Sequence, residues 1–126
     1  MGTNERRDRG LKKYLEVYGE DAWVAPEGEN PGFDIMLEQL FGEIWTRSAL
    51  SVRDRRLLAV GVLAANGRTE TIELQMRRAL ALGELDGEQL HEIAIMLGHY
   101  VGWPLAGELG ARAVQVIADH EASARE

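Results

Sequence analysis

The stretch SVRDRRLLAVGVLAANG, Ser51 to Gly67, decides the fold class. Ser51 is a good N-cap, and Asp54 stands at the third helical position, which resembles a capping box. From Leu57 onward the segment is apolar nearly all round, which predicts a central helix buried on several sides. Ala59, Gly61, Ala64 and Ala65 would let other helices approach closely. Gly67 suits the C-cap, where a left-handed residue is wanted.

Outward from this helix the pattern stays helical. Thr69 is expected to cap a helix that runs to about Leu82 and stops at Gly83. Asp86 is expected to cap the next, with Leu90, Ile93, Ala94, Leu97 and Val101 on its inner side. The triplet Gly102-Trp103-Pro104 breaks it, since proline cannot continue the hydrogen-bond ladder. Pro104 then suits the first turn of a final helix carrying Leu105, Leu109, Ala113, Val116 and Ile117.

Toward the N-terminus, Phe33, Met36, Leu37, Leu40, Phe41 and Ile44 are spaced as one buried stripe on a helix ending near Arg47, with Trp45 on a different side. The linker VAPEGENPG (24–32) precedes it. Before the linker lies a polar helix over 6–18, with Leu11, Tyr14, Leu15 and Tyr18 on one face. No strand-type alternation appears. The reading is an all-α, single-domain antiparallel bundle of about six helices, because the last links are only a few residues long. Residues 1–31 form an N-terminal helix and linker, 32–120 the helical domain, and 121–126 a frayed tail.

The 126 residues suffice for one domain with a core. A formal net charge of −7 argues against a general nucleic-acid or anionic-membrane binder. The basic excess sits early, at Arg6, Arg7, Arg9, Lys12 and Lys13, and reads as a solvated helix start because no apolar signal region follows. No apolar run is long enough for a membrane span, so a cytoplasmic location is expected. The chain has no cysteine, hence no disulfide, thiolate nucleophile or thiolate metal site. The three histidines, His91, His99 and His120, lack metal-ligand spacing, so no metal is expected.

Taken in order, GEIWTRSAL (42–50), the helix ending LAANG (63–67), ELQMRRALALG (73–83) and YVGWPLAG (100–107) resemble the γ-carboxymuconolactone decarboxylase family, over about Gly32 to Val116. That family is related to the small alkylhydroperoxidase-type disulfide reductases. The resemblance implies an all-helical domain that assembles as a homo-trimer or homo-hexamer. Trp45, Trp103 and the many alanines and glycines fit assembly, offering more apolar surface than a monomer of this length covers easily.

The resemblance has two branches, and cysteine separates them. The reductase branch needs a C-x-x-C pair and a helping histidine. With no thiol here, and a methionine thioether unable to ionise, thiol-dependent peroxidase chemistry is excluded. The decarboxylase branch works without a cofactor. Its lactone loses CO2 from a carbon vinylogous to the carbonyl, electrons flow into that carbonyl to give a dienolate, and a proton adds beside it. Such a site needs groups that place carboxylates, donors on the developing oxyanion and one general acid.

One departure matters. The decarboxylases usually carry L-H-x-R where this chain has Leu74-Gln75-Met76-Arg77. Gln75 can donate a hydrogen bond but cannot shuttle a proton near neutral pH. The chain supplies another imidazole, His99, where the family more often has an apolar residue.

The candidate site follows. His99, Glu43 and Gln75 are the catalytic candidates. Arg47, Trp45, Glu73, Tyr100 and Trp103 are the substrate-binding candidates. Each has a plainer reading. Glu43 with Arg47, and Glu73 with Arg77, are surface pairs one helical turn apart. Trp45, Trp103 and Tyr100 are core or interface aromatics. His99 is a satisfied buried histidine. The function expected is lyase or proton-transfer chemistry, free of cofactors, on a small carboxylated lactone or enolisable ring. The alternatives are a non-catalytic oligomeric binding or scaffold protein, or an isomerase or cyclase of a biosynthetic intermediate; fold alone does not choose among them.

Overall fold

The computed structural model describes residues 3–126, with side chains from Glu5 onward. Every regular element among them is helical, as expected: α1 (Thr3–Tyr18), α2 (Pro31–Met36) with a wider-turned continuation (Leu37–Ile44), α3 (Val52–Ala65), α4 (Thr69–Ala81), α5 (Gly87–Val101) and α6 (Trp103–Ala124). None of these helices is long and apolar enough to cross a membrane. The described residues up to Val52 make one compact unit, and Arg53–Glu126 make another.

In the first unit, α2 starts at Pro31, inside the expected linker. The Asn30 side chain accepts from Phe33 N at 3.1 Å, and proline suits the first helical position. From Leu37 the turns widen to i→i+5 hydrogen bonding, and Trp45 N still donates to Leu40 O at 2.9 Å. This changes which residues are inside. Four residues overshoot a full turn of α-helix and undershoot a wider one. A helix that is part each therefore keeps the row Phe33, Leu37, Phe41, Trp45 on one side. Leu37, Phe41 and Trp45 are buried, while Leu40 and Ile44, expected inside, are exposed. Trp45 is thus not on a different side: it stacks on Phe41 with ring centroids 5.9 Å apart.

The wider turns also place the Leu37 carbonyl against α1. A Cβ added at Gly10 would lie 1.7 Å from Leu37 O, so only glycine permits this approach. The buried row of α1 is accordingly Arg7, Gly10, Tyr14 and Val17, not the expected Leu11, Tyr14, Leu15, Tyr18 face. Arg7, expected in a solvated basic start, is buried. Its Nε donates to Asp34 Oδ1 at 2.8 Å and its Nη2 donates to the Ala25 carbonyl. Tyr14 adds a bond from its hydroxyl to Trp23 O at 2.6 Å, so α1 pins the chain that leads into α2.

In the second unit the core is built by Val60 and Ala64 of α3, Ile72, Met76, Ala79 and Leu80 of α4, Leu90 and Ala94 of α5, and Leu109, Ala113 and Val116 of α6. The spacings of three and four along α4, α5 and α6 are those of one buried helical face. Asp86 and Gln89 form a full capping box at the start of α5. Gly67 and Gly83 take positive φ at the ends of α3 and α4, and Gly102 takes φ 102° between α5 and α6. Thr69 is not a cap. It is the first residue of α4, and its hydroxyl donates to Glu108 of α6 at 2.8 Å.

The expectation of a central helix buried on several sides is not met by α3. Only Arg56, Val60 and Ala64 are buried, one row at four-residue spacing. Leu58 and Val62 point outward, 62% and 61% exposed.

The Asp34 carboxyl is held below its ordinary range, first by the hydrogen bond from Arg7 and then by that from Gly28 N. Unfolding frees the group to take its proton near pH 4, while the folded chain takes it only at lower pH. In that window the unfolded state binds more protons. The contribution of Asp34 is therefore complete above about pH 4 and is lost as the pH falls through the folded value. Urea unfolding at a series of pH values should show a weaker acid dependence for Asp34→Asn than for the parent; identical slopes would contradict this.

Candidate functional site

An open cleft of about 370 Å³ lies in the second unit, between α3 and α5. Arg53, Leu57, Val60 and Gly61 of α3 form one wall, and Gln89, Glu92, Ile93, Met96 and Leu97 of α5 the other, with Leu85 at the turn before α5. The helical period puts these residues there, since steps of three and four return to one face. The volume suits a small molecule, and the lining is mainly apolar with a few polar groups, the usual make-up of ligand sites. A Cβ at Gly61 would meet nothing, so the glycine widens the cleft without serving a close contact.

Behind the cleft sits a buried polar cluster. Arg56 is 1% exposed. Its Nε donates to Glu84 Oε1 at 2.6 Å and its Nη2 to Glu84 Oε2 at 3.2 Å, a two-pronged ion pair. Its Nη1 donates to Gln75 Oε1 at 2.7 Å. Arg53, about one turn earlier on α3, donates from Nε to the main-chain oxygen of the same Glu84 at 3.1 Å. Both arginines thus hold the turn between α4 and α5. Gln75 is completely buried, and its Nε2 has no hydrogen-bond partner among the described residues.

The structure distributes the candidate residues as follows. Glu43, Trp45 and Arg47 lie in the first unit. Glu43 is exposed and accepts from Arg6 Nη2 at 2.8 Å. Trp45 is core. Arg47 is exposed beyond the helix end, its N–H bonded to Ile44 O at 3.1 Å. The others lie in the second unit. Glu73 of α4 bridges Arg77 at 3.5 Å, the pair expected, and also Arg112 of α6 at 3.3 Å.

His99 is exposed, against the reading of a buried histidine. Its Nδ1 lies 3.0 Å from Ile95 O, and since a carbonyl only accepts, Nδ1 carries the hydrogen. In the neutral ring Nε2 therefore holds the lone pair. Trp103 packs edge-on against the His99 ring at 5.0 Å and lies over Gly98, where a Cβ would be 2.5 Å from the indole. Tyr100 is 77% exposed. Glu92, Met96 and His99 share one row of α5 at steps of four and three; Glu92 and Met96 line the cleft, while His99 stands one turn beyond them with its ring on Trp103.

Arg53, Arg56 and Glu84 had no place among the sequence candidates. A signal existed for Arg56: it stands four and eight residues before Val60 and Ala64, in the row that becomes the buried face of α3. Among the described residues no group of three or more His, Cys, Asp or Glu side chains converges as metal ligands would.

Residues 31–115, two thirds of the chain, match the carboxymuconolactone decarboxylase family, and the chain belongs to that family. A curated relative is the 4-carboxymuconolactone decarboxylase of Acinetobacter baylyi. It is 26% identical over 124 residues, covering 94% of this chain and 92% of that protein.

The buried ion pair has a stability consequence. Glu84→Gln would leave Arg56 charged and buried without its counter-charge. The expected loss is about 3 kcal/mol, the low end for a buried pair because solvent still reaches Glu84. Urea unfolding of the whole chain measures it; a loss within experimental error would show that the pair contributes nothing.

Proposed function

We propose that this chain carries out cofactor-independent lyase or proton-transfer chemistry on a small carboxylated lactone or enolisable ring, bound in the cleft between α3 and α5. The observation that supports this best is the cleft itself: an apolar space of ligand size with a cationic group, Arg53, at its wall. Family membership supports the reaction class. In the decarboxylation, the bond from the ring carbon to the carboxylate breaks and its electron pair moves through the ring double bond onto the carbonyl oxygen. CO2 leaves, and a proton is then added beside the carbonyl. An apolar wall favours loss of charge as CO2, since the carboxylate is poorly solvated there.

In this reading Arg53 holds a substrate carboxylate, and His99 first takes a proton from solvent on Nε2 and then delivers that proton, keeping the Nδ1 hydrogen that Ile95 O accepts. Gln75 lies behind the cleft and transfers no proton. Trp103 fixes the His99 ring, and Tyr100 shields that end of the site. Glu73 supports α4 from its bridges to Arg77 and Arg112. The expected role of Arg47 as a carboxylate clamp, and of Glu43 beside it, is tested in the same assay.

A panel of carboxylated lactones followed by absorbance should reveal at least one substrate, because loss of conjugation on decarboxylation is directly visible. With that substrate, His99→Gln should lower turnover by about 10²-fold or more, the usual contribution of a general acid, while leaving ligand affinity and melting temperature near the parent's. Arg47→Lys should weaken binding if Arg47 is a clamp, since lysine lacks the planar fork. Gln75→His should raise turnover only if the restored ring can carry a proton while still accepting from Arg56. No turnover across the panel, or unchanged turnover in His99→Gln, would overturn the reading.

We also propose that the chain works as a homo-trimer or homo-hexamer. Leu58 and Val62 on α3, and Met96, Tyr100 and Trp103 around the end of α5, leave more large apolar side chains in water than a working monomer usually does. Light scattering at micromolar concentration should give a mass three or six times 14.0 kDa; a mass of one chain would refute it.

A further inference from the structure

The cleft carries two opposite charges, one on each wall. Arg53 stands in the first turn of α3 and Glu92 in the middle of α5, and both line the space. They make no ion pair with each other. Arg53 commits its Nε to the main-chain oxygen of Glu84 at 3.1 Å, and its Nη1 reaches Asp54 Oδ1 at a long 3.4 Å. Its Nη2 has no partner among the described residues. Glu92 is exposed, and among the described residues no hydrogen bond or ion pair holds its carboxylate. Gln89, the remaining polar residue of the cleft, accepts from Asp86 N at 2.9 Å through Oε1, as part of the capping box.

We infer that the cleft selects a ring bearing one carboxylate and, across the ring, a hydrogen-bond donor such as a hydroxyl, and that Glu92 is the residue that turns dicarboxylates away. The inference rests on the cleft being the ligand site, and it narrows which small carboxylated molecules that site takes.

Two unlike charges that do not meet each other leave a space that a ligand can bridge. A carboxylate at Arg53 gains a charge-assisted hydrogen bond from Nη2. At the other wall a carboxylate side chain only accepts, so Glu92 is met by a donor and opposed by a second anion. Most of the remaining lining is apolar, Leu57, Val60, Ile93 and Leu97 among it, and supplies no dipole to offset that repulsion. Discrimination then comes from the ligand that is repelled as much as from the one that is favoured. The neighbouring charges leave this balance in place. Glu84 is paired with Arg56 behind the wall, and Asp54 sits beside Arg53, adding no cation for a second carboxylate. Arg53 is thus the one cation among the cleft's lining residues and Glu92 the one anion.

The test uses the full chain and three probes on one ring: cyclopentanecarboxylate, the same acid with a hydroxyl across the ring, and the same acid with a second carboxylate there. Binding is followed by NMR at low salt, at the backbone amides of Gly61 and Met96. The hydroxy acid should bind about tenfold more tightly than the dicarboxylate, the effect of one like-charge contact near a protein surface. Added salt should shrink that difference, since exposed charges are screened. Glu92→Gln keeps the size of the side chain and removes its charge, so the dicarboxylate should gain about tenfold while plain cyclopentanecarboxylate stays unchanged. Glu121→Gln removes the same charge from the exposed end of α6, away from the cleft, and should alter none of the affinities. Equal binding of hydroxy acid and dicarboxylate by the parent, or an unchanged ratio in Glu92→Gln, would refute the selectivity while the cleft remains the binding site. An equal gain in Glu121→Gln would trace the effect to the net charge of −7 and refute it too. If no probe moves the cleft amides, the cleft reading fails and the selectivity with it.

Discussion

Burying one guanidinium sets the terms for the second unit. Taking a charge out of water costs several kcal/mol unless its donors are met in good geometry. Arg56 meets that demand with the Glu84 carboxylate and the Gln75 carbonyl oxygen. The first partner fastens the turn between α4 and α5 to α3. The second fixes the Gln75 amide with its oxygen toward α3. Arg56 and Gln75 lie behind Leu57, Val60, Leu85 and Ile93 of the cleft, so the ion pair that fastens the turn also backs the cleft wall.

Helix order and the main boundaries were legible because capping and turn residues act locally. Asp86 with Gln89, Gly67, Gly83 and the Gly102 break all behave in the structure as their chemistry requires. Faces were harder to read. Leu40, Ile44 and Trp45 were assigned sides on a 3.6-residue period, and the i→i+5 turns over Leu37–Ile44 rotate them. Those turns accompany a close approach between Leu37 and Gly10, a contact 27 residues away in sequence that no local pattern reveals. The outward Leu58 and Val62 teach a related point. An all-apolar helix reports that its surface avoids water, not that its own chain covers it.

The site was legible in part. Gln75 stood out because it replaces a histidine that the family resemblance implies, but its partner did not, since a sequence does not say which of five arginines between positions 47 and 68 is buried. His99 was singled out as the chain's spare imidazole. The structure leaves it exposed, with Nδ1 tied to Ile95 O, so the ring nitrogen that would exchange protons is defined by the helix it sits on. The candidates of the first unit are tied into that unit: Glu43 to Arg6, and Trp45 into the aromatic stack.

Gln75 accepts from Arg56 and cannot shuttle a proton near neutral pH, so the proposed reaction needs its proton from another group; His99 is the imidazole on the helix that forms one wall of the cleft. The most direct test of this account is a crystal structure of the full chain grown with a γ-butyrolactone carboxylate. The account predicts the ring between α3 and α5, lined by Leu57, Val60, Ile93 and Met96, with its carboxylate toward Arg53. A ligand ordered only outside that cleft, at saturating concentration, would contradict it.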